Sequence, residues 1–140
     1  MKTNYTLGCM SLLSLLLLLA LAGCVKSTFV LDDIYNVDNQ RVTPAPDMTL
    51  DKAGQLIQAA GAGHDWVMSI QKPGYIVGTL INRQHTAVVD IDYTTNSFSI
   101  TYKSSTNLAY DASTGQIHKG YNRWVRNLEK AILIKLTHGS

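Results

Sequence analysis

The sequence has few of the residues that would mark a nucleic-acid binder, a disulfide-rich domain or a recognisable enzyme. Its 140 residues carry 12 basic and 10 acidic side chains, and the net charge of +2 excludes a strongly basic nucleic-acid-binding protein. Only two cysteines are present, which excludes a framework of several disulfides. The G-x-S-x-G, H-E-x-x-H and paired-cysteine motifs are all missing, so we assign no catalytic residue, metal site or cofactor from the sequence.

The longest apolar run lies at the N-terminus, from Leu7 to Ala22. It is shorter than the roughly 20 residues that a transmembrane helix needs, and small residues follow it, which is typical of a signal peptide over residues 1–23. The residues Leu21-Ala22-Gly23-Cys24 resemble the lipobox of bacterial lipoproteins. This resemblance implies that Cys24 is lipidated and becomes the first residue of the mature chain. An ordinary signal peptide with a chance cysteine, or an uncleaved anchor, is the alternative.

The lipobox resemblance also carries an expectation about location. Position 25 is Val rather than Asp, which in enterobacterial lipoproteins implies sorting to the periplasmic face of the outer membrane. Cys9 lies in the apolar run and is removed with it, so the mature chain keeps one alkylated cysteine and has no disulfide. The expected first partner is therefore the membrane itself, through the lipid anchor.

Residues 24–48 are predicted to combine the lipidated cysteine with a flexible tether. The stretch is rich in Asp, Asn and Thr, and Pro44-Ala45-Pro46 disfavours both helix and sheet. We place the folded periplasmic domain at residues 49–140. As an alternative for part of the tether, the apolar residues within 29–35 dock on the domain as an added strand.

Hydrophobic periodicity predicts a helix, four strands and a second helix in the folded domain. Helical spacing begins at Thr49 and runs to about residue 60, and apolar residues then alternate over 66–71, 76–80, 87–93 and 98–102. Residues 104–117 are predicted as a polar loop. The last helix covers about 119–136, with an inner stripe of Tyr121, Val125, Leu128, Ile132 and Leu136.

The strand registers agree on one buried face. Closing the last hairpin at Thr95-Asn96 opposes Tyr93 with Phe98 and Ile91 with Ile100, and it continues to Val89 with Tyr102. The predicted fold class is therefore α+β, a two-layer domain. A four-stranded antiparallel meander is covered on one face by an N-terminal and a C-terminal helix, in the order α-β-β-β-β-α.

Several short stretches resemble a group of short, functionally uncharacterised proteobacterial lipoproteins. These stretches are Lys72-Pro73-Gly74, residues 83–89, residues 98–102, residues 105–108, Ile117-His118 and residues 121–125. The resemblance covers about residues 49–136 together with the lipobox. It implies a bacterial envelope lipoprotein, and it implies no particular activity.

Polar and amphipathic residues gather at a turn, a strand end and the start of the last helix, and we treat them as a candidate partner- or ligand-binding rim. The rim comprises Arg83, His85, Tyr102, Asn107, His118, Asn122 and Trp124, with Ser105 beside them. The structural alternative is that His118 and Asn122 cap helix ends and that Arg83 is a solvated turn residue. Asp90 and Asp92 share a strand face, but a solvated face explains them better than a catalytic pair.

Two function classes remain open on the sequence alone. The first is a binding or structural module of the envelope, with an envelope protein or peptidoglycan as partner and no nucleic acid. The second is a small periplasmic enzyme with an unrecognised site near His85 and His118. A concave pocket holding both histidines would favour the enzyme, whereas a flat exposed sheet edge or apolar patch would favour the binding module.

Overall fold

The computed structural model describes residues 30–140. The elements in chain order are β1 (Leu31–Asp33), β2 (Val37–Arg41), α1 (Leu50–Ala62), β3 (Trp66–Lys72), β4 (Tyr75–Asn82), β5 (His85–Tyr93), β6 (Ser97–Thr106), β7 (Gln116–His118) and α2 (Lys119–His138). The signal peptide over residues 1–23 and Cys24 lie outside the described residues. Between residues 30 and 140, no helix is long and apolar enough to cross a membrane.

The α+β class is confirmed, but the antiparallel sheet has five strands and not four. Its order is β2-β6-β5-β4-β3, and β1 pairs with β7 in a separate two-stranded ribbon. The fifth strand, β2, lies in the segment predicted as a tether, and Val37 opposite Ile100 is buried. The register shifts between Val37 and Gln40, and Asn39 has a positive φ of 44°. This irregularity breaks the alternation of apolar residues, so the sequence pattern does not reveal the strand.

The alternative of a docked N-terminal strand holds for the described part of residues 29–35. Leu31 and Asp33 oppose His118 and Gln116, and the Ile34 amide donates to the Gly115 carbonyl at 2.8 Å. The prediction of a loop over 104–117 is wrong at both ends, because β6 continues along β5 to residue 106 and β7 begins at residue 116. Each of β1 and β7 has three residues; β7 also makes backbone hydrogen bonds to Leu108 and Asp111, so it offers β1 an edge that is already held in place.

The predicted meander register is confirmed. Tyr93 opposes Phe98, Ile91 opposes Ile100, and Val89 opposes Tyr102. The side chains of Val89, Ile91 and Ile100 are fully buried, so this face of the sheet carries the core. The opposite face is exposed or half-buried, as an antiparallel sheet with one solvated side allows.

Both helices pack on the buried face of the sheet. Thr49 is the N-cap of α1, and its Oγ1 accepts a hydrogen bond from the Lys52 amide at 3.2 Å. Gly61 allows close packing, because an added Cβ would lie 2.5 Å from Cγ of Met68 in the sheet. The predicted inner stripe of α2 is confirmed, since all five of its residues are fully buried. The two helices and the inner sheet face share one hydrophobic core.

Candidate ligand-binding cleft

One end of the sheet forms a cleft of two adjoining cavities. The cleft lies between the β4–β5 turn, the corner from α1 to β3, and the first turns of α2. The larger cavity has a volume of about 500 Å³ and is lined by Gly63, His64, Asp65, Trp66, Leu80, Ile81, Asn82, Arg83, Trp124 and Asn127. The smaller has a volume of about 310 Å³ and is lined by Asn82, Arg83, His85, Leu108, His118, Gly120, Arg123 and Trp124. Asn82, Arg83 and Trp124 belong to both linings, so the cavities are neighbouring parts of one cleft.

The β4–β5 turn places Arg83 between the two cavities. Asn82 opposes His85, which leaves Arg83 and Gln84 as a two-residue loop. Arg83 has a φ of 57°, a left-handed conformation that glycine adopts more readily than arginine does. Asn107 supports the turn, because its Nδ2 donates to the Gln84 carbonyl at 2.7 Å. The exposed side chain of Arg83 therefore extends from a turn whose backbone is fixed by a hydrogen bond from Asn107.

His85 and His118 stand together in the smaller cavity. Their rings are nearly parallel, with an interplanar angle of 15° and centroids 6.1 Å apart. Nδ1 of His85 lies 2.7 Å from the Asn107 carbonyl oxygen, and because a carbonyl only accepts, this nitrogen carries a proton. Nδ1 of His118 accepts from the Gly120 amide at 3.0 Å, so it carries none. His118 is thus the N-cap of α2, as the structural alternative expected.

Tryptophan side chains form the apolar part of the cleft. The chain has two tryptophans, and both line the larger cavity. Trp124 is half-buried on α2, one turn after the helix begins. Trp66 is 3% exposed, and its buried Nε1 has no hydrogen-bond partner within residues 30–140. Trp66 therefore brings a buried, unsatisfied indole donor behind the cleft wall, while Trp124 presents aromatic surface and Leu80 and Ile81 add aliphatic surface.

Three members of the predicted rim do not line the cleft: Asn107, which supports the β4–β5 turn, Tyr102 and Asn122. Tyr102 packs against Tyr110 at a centroid distance of 4.2 Å, and its hydroxyl lies 3.0 Å from the Ser105 Oγ. Asn122 is only 2% exposed, and it is not a helix cap. Its Oδ1 accepts from the Tyr35 amide at 2.9 Å, and its Nδ2 donates to the Asp33 carbonyl at 2.8 Å. Asn122 therefore fixes the N-terminal segment to α2 and does not face a ligand.

The structure thus brings only some residues of the predicted rim together at the cleft. Arg83, His85, His118 and Trp124 line the cleft together, and Asn107 supports them from behind. Sequence reasoning missed the cleft residues His64, Trp66, Asn82, Arg123 and Asn127. Trp66 is a buried core residue and Arg123 lies on the exposed face of α2, so neither stands out in the sequence as a cleft residue. The available signal was position along the fold, because His64, Trp66 and Asn82 lie beside element ends at the same edge of the sheet. Arg123 and Asn127 lie about one and two turns into α2, where the sequence gives no such signal.

The smaller cavity is basic. Arg83 and Arg123 contribute to its lining, and no Asp or Glu does. Within residues 30–140 neither arginine forms an ion pair, since Lys103 with Asp90 is the ion pair found there. The first turn of α2 also contains no acidic residue, so the positive end of its helix dipole has no carboxylate of its own element nearby. The cavity therefore combines uncompensated positive charge with hydrogen-bond donors.

The open face of the sheet carries a polar cluster of a different kind. Oδ1 of Asp90 accepts from the Tyr75 hydroxyl at 2.6 Å and from Nζ of Lys103 at 2.7 Å. Partial desolvation raises the pKa of Asp90, but the hydrogen bonds from Lys103 and Tyr75 outweigh it and leave the pKa below its ordinary value. Asp90 is thus ionised at neutral pH, and neighbouring Asp92 is exposed. This arrangement fits a solvated, ion-paired face and not an acid–base pair.

Comparison with known proteins gives no relative from which a function could be carried over. No protein-family model, no curated protein and no solved structure matches the chain. Within the described part, no three His, Cys, Asp or Glu side chains come together as a set of metal ligands. A proposal about function therefore depends on the geometry of the cleft and on the N-terminal sequence.

Proposed function

We propose that this protein is a lipid-anchored binding module on the periplasmic face of the outer membrane of a Gram-negative bacterium, and that the cleft is its ligand site. The cleft carries the proposal, because it is concave, partly aromatic and lined by a few polar groups from three separate elements. The expected partner belongs to the cell envelope, either an envelope protein or peptidoglycan. Nucleic acid is not expected, since the net charge is only +2.

A lipid at Cys24 would hold this cleft close to the membrane. The first described strand begins at Leu31, and the seven Cα-to-Cα steps from residue 24 to residue 31 span at most about 25 Å when fully extended. Several acyl chains make such attachment effectively permanent, because each buried methylene contributes about 0.8 kcal/mol. The module would thus search only the layer of periplasm next to its membrane.

The anchor is tested by metabolic labelling of living cells with a palmitate analogue. We expect the wild-type protein to incorporate the label and Cys24→Ser to remain unlabelled in the precursor form. Blotting for total protein shows whether both are expressed. Label retained by Cys24→Ser would contradict lipidation at this residue.

The binding role is tested by filling the cleft. Asn127 is exposed and lines the larger cavity, so Asn127→Trp places a bulky ring there while leaving the core intact. Thr137→Trp adds the same ring to an exposed site near the end of α2 and is the matched control. Full-length tagged protein is cross-linked in intact cells, and captured envelope components are identified by mass spectrometry. We expect Asn127→Trp to lose a component that wild type and Thr137→Trp retain. Equal recovery by all three proteins would refute the cleft as the binding site.

One observation favours a second candidate, a small periplasmic enzyme. The smaller cavity does hold His85 and His118 together, and the protonated Nδ1 of His85 makes its Nε2 the available base in the neutral ring. The described lining of this cavity, however, contains no hydroxyl or thiol that such a base would deprotonate, and no carboxylate that would orient the base. Binding is therefore the function that the geometry supports best. Turnover of a captured ligand by wild type but not by His85→Gln would reverse this preference.

A further inference from the structure

The charge pattern of the smaller cavity indicates what kind of group it accepts. The cavity gathers Arg83 from the β4–β5 turn and Arg123 from α2, and its described lining offers no acidic side chain. Neither guanidinium has a carboxylate within ion-pair distance among residues 30–140. Placing Arg123 in the second turn of a helix is also unfavourable, because the positive end of the helix dipole lies nearby. An anionic group bound in this cavity would offset both effects.

The conformation of Arg83 supports the same conclusion. A two-residue hairpin loop with a positive φ at its first position is most easily made with glycine there. The chain has a long cationic side chain at this strained position instead. A planar guanidinium forms two parallel hydrogen bonds to a carboxylate or a phosphate, which a point charge does not do. The turn therefore presents the side chain best suited to bind an oxyanion.

The larger cavity is lined mainly by uncharged groups, and its acidic member, Asp65, disfavours an anion there. Trp124 offers a half-buried indole, and Asn82 and Asn127 offer exposed amides that both donate and accept hydrogen bonds. A volume of about 500 Å³ lies within the range of cavities that hold small organic ligands. Flat aromatic surface beside amides suits a ring with one apolar face and many hydroxyl groups.

We infer that the cleft binds an acidic saccharide, with the sugar ring against Trp124 in the larger cavity and its carboxylate or phosphate between Arg83 and Arg123 in the smaller one. The shared residues Asn82, Arg83 and Trp124 allow one ligand to occupy both cavities. This inference rests on the proposed function and names the ligand class for the same site.

The test compares three probes that have the same ring: N-acetylmuramic acid, N-acetylglucosamine 6-phosphate and neutral N-acetylglucosamine. Binding to the full-length protein in detergent micelles is followed by intrinsic fluorescence, because both tryptophans of the chain line the larger cavity. We expect at least one acidic probe to bind about tenfold more tightly than the neutral sugar. The stronger acidic probe identifies the anion as carboxylate or phosphate. Equal affinity for all three probes, or no binding of any, would overturn the inference.

Variants that each remove one positive charge show whether Arg83 and Arg123 contact the anionic group of the ligand. Arg123→Gln and Arg83→Asn should each weaken binding of the acidic probe by about tenfold, so that the difference in affinity between the acidic probe and the neutral sugar becomes smaller. Asn is chosen at position 83 because it tolerates a positive φ. Arg126→Gln removes the same charge from α2 and is the control. The Arg126 guanidinium carbon lies 4.3 Å from the centroid of the Tyr35 ring, outside the cleft, so this variant should bind the acidic probe as tightly as wild type does. Equal loss in Arg123→Gln and Arg126→Gln would refute the contact. If cross-linking recovers an envelope component that Asn127→Trp loses, but none of the three sugars binds, the cleft is a binding site and its ligand is not an acidic saccharide.

Discussion

The side chain of Asn122 is expected to hold the N-terminal segment on the domain, and its removal gives the sharpest test of the fold. Asn122 is buried on α2 and makes two hydrogen bonds to backbone groups almost 90 residues earlier, the Tyr35 amide and the Asp33 carbonyl. Asn122→Ala removes both bonds at once. The two backbone groups then stay partly buried without their partners, which is the costly case for a polar group.

The expected loss of stability follows from these two bonds. Each backbone group left without a partner costs about 1–3 kcal/mol, and alanine returns up to about 0.5 kcal/mol through its better helix propensity. We therefore expect Asn122→Ala to lower the free energy of unfolding by about 3 kcal/mol. For a domain of this size that corresponds to a fall in melting temperature of roughly 10 °C. Loss of a simple helix cap would cost only about 1 kcal/mol.

The assay is urea unfolding of the variant beside a matched control. Asn127→Ala changes the same residue type on the same helix, but Asn127 is exposed and makes no side-chain hydrogen bond within residues 30–140, so its effect should stay within about 0.5 kcal/mol. Limited proteolysis should also cut the segment around residue 35 faster in Asn122→Ala than in wild type. Equal unfolding midpoints and equal cleavage of the two variants would refute the proposed role of Asn122.

Two further predictions test the sheet faces and their charges. Ile91 is fully buried and Asp92 is exposed. Ile91→Asp should therefore lower the free energy of unfolding by several kcal/mol, whereas Asp92→Ile should change the melting temperature little. Equal loss of thermal stability in the two variants would contradict the assignment of the two residues to opposite faces. The folded pKa of Asp90 is lowered, so its stabilising effect is present above the unfolded value of about 3.9 and is lost as the pH falls through the folded pKa. The stability advantage of wild type over Asp90→Asn should therefore shrink below about pH 4, and an advantage that does not change with pH would disprove the ion pair.

Periodicity in the sequence was sufficient to predict the central part of the fold. In the strands from residue 66 to residue 102, apolar side chains recur at every second position. One register buries the main apolar set of β5 and β6 on the same face, whereas Val88 is half-buried on the opposite face. The last helix has an apolar stripe that matches its 3.6-residue repeat over five turns. In these elements the local pattern and the tertiary environment agree, so the pattern alone identifies them.

The N-terminal strands could not be predicted in the same way. Val37 is the single buried residue of β2, and the bulge that follows removes the period-two signal. β1 has three exposed residues, and its partner β7 lies more than 80 residues away. Such strands form because an existing sheet edge or ribbon supplies their hydrogen bonds, and that information is not local. Composition alone favoured a tether, since the stretch is polar and contains prolines.

Only part of the candidate site could be predicted, because the rest depends on contacts between distant elements. Arg83, His85, His118 and Trp124 could be placed at one end of the sheet because their elements and register were correctly predicted. The cleft also needs the corner from α1 to β3, which brings Trp66 to its wall. How closely a helix end approaches a strand end depends on packing between elements, and small residues such as Gly61 control it.

The position of Asn122 links the anchored end of the chain to the cleft. α2 carries Arg123 and Trp124 into the cleft, and the preceding residue binds the backbone of the N-terminal segment. The segment thus joins the fold directly beside the helix turn that forms the binding wall. If Cys24 is lipidated as proposed, these two hydrogen bonds of Asn122 also fix the anchored end of the chain to the helical turn that carries Arg123 and Trp124. Without them, that turn loses support on its outer side. Asn122→Ala should then weaken binding of an acidic saccharide in the anchored protein, although Asn122 does not line the cleft.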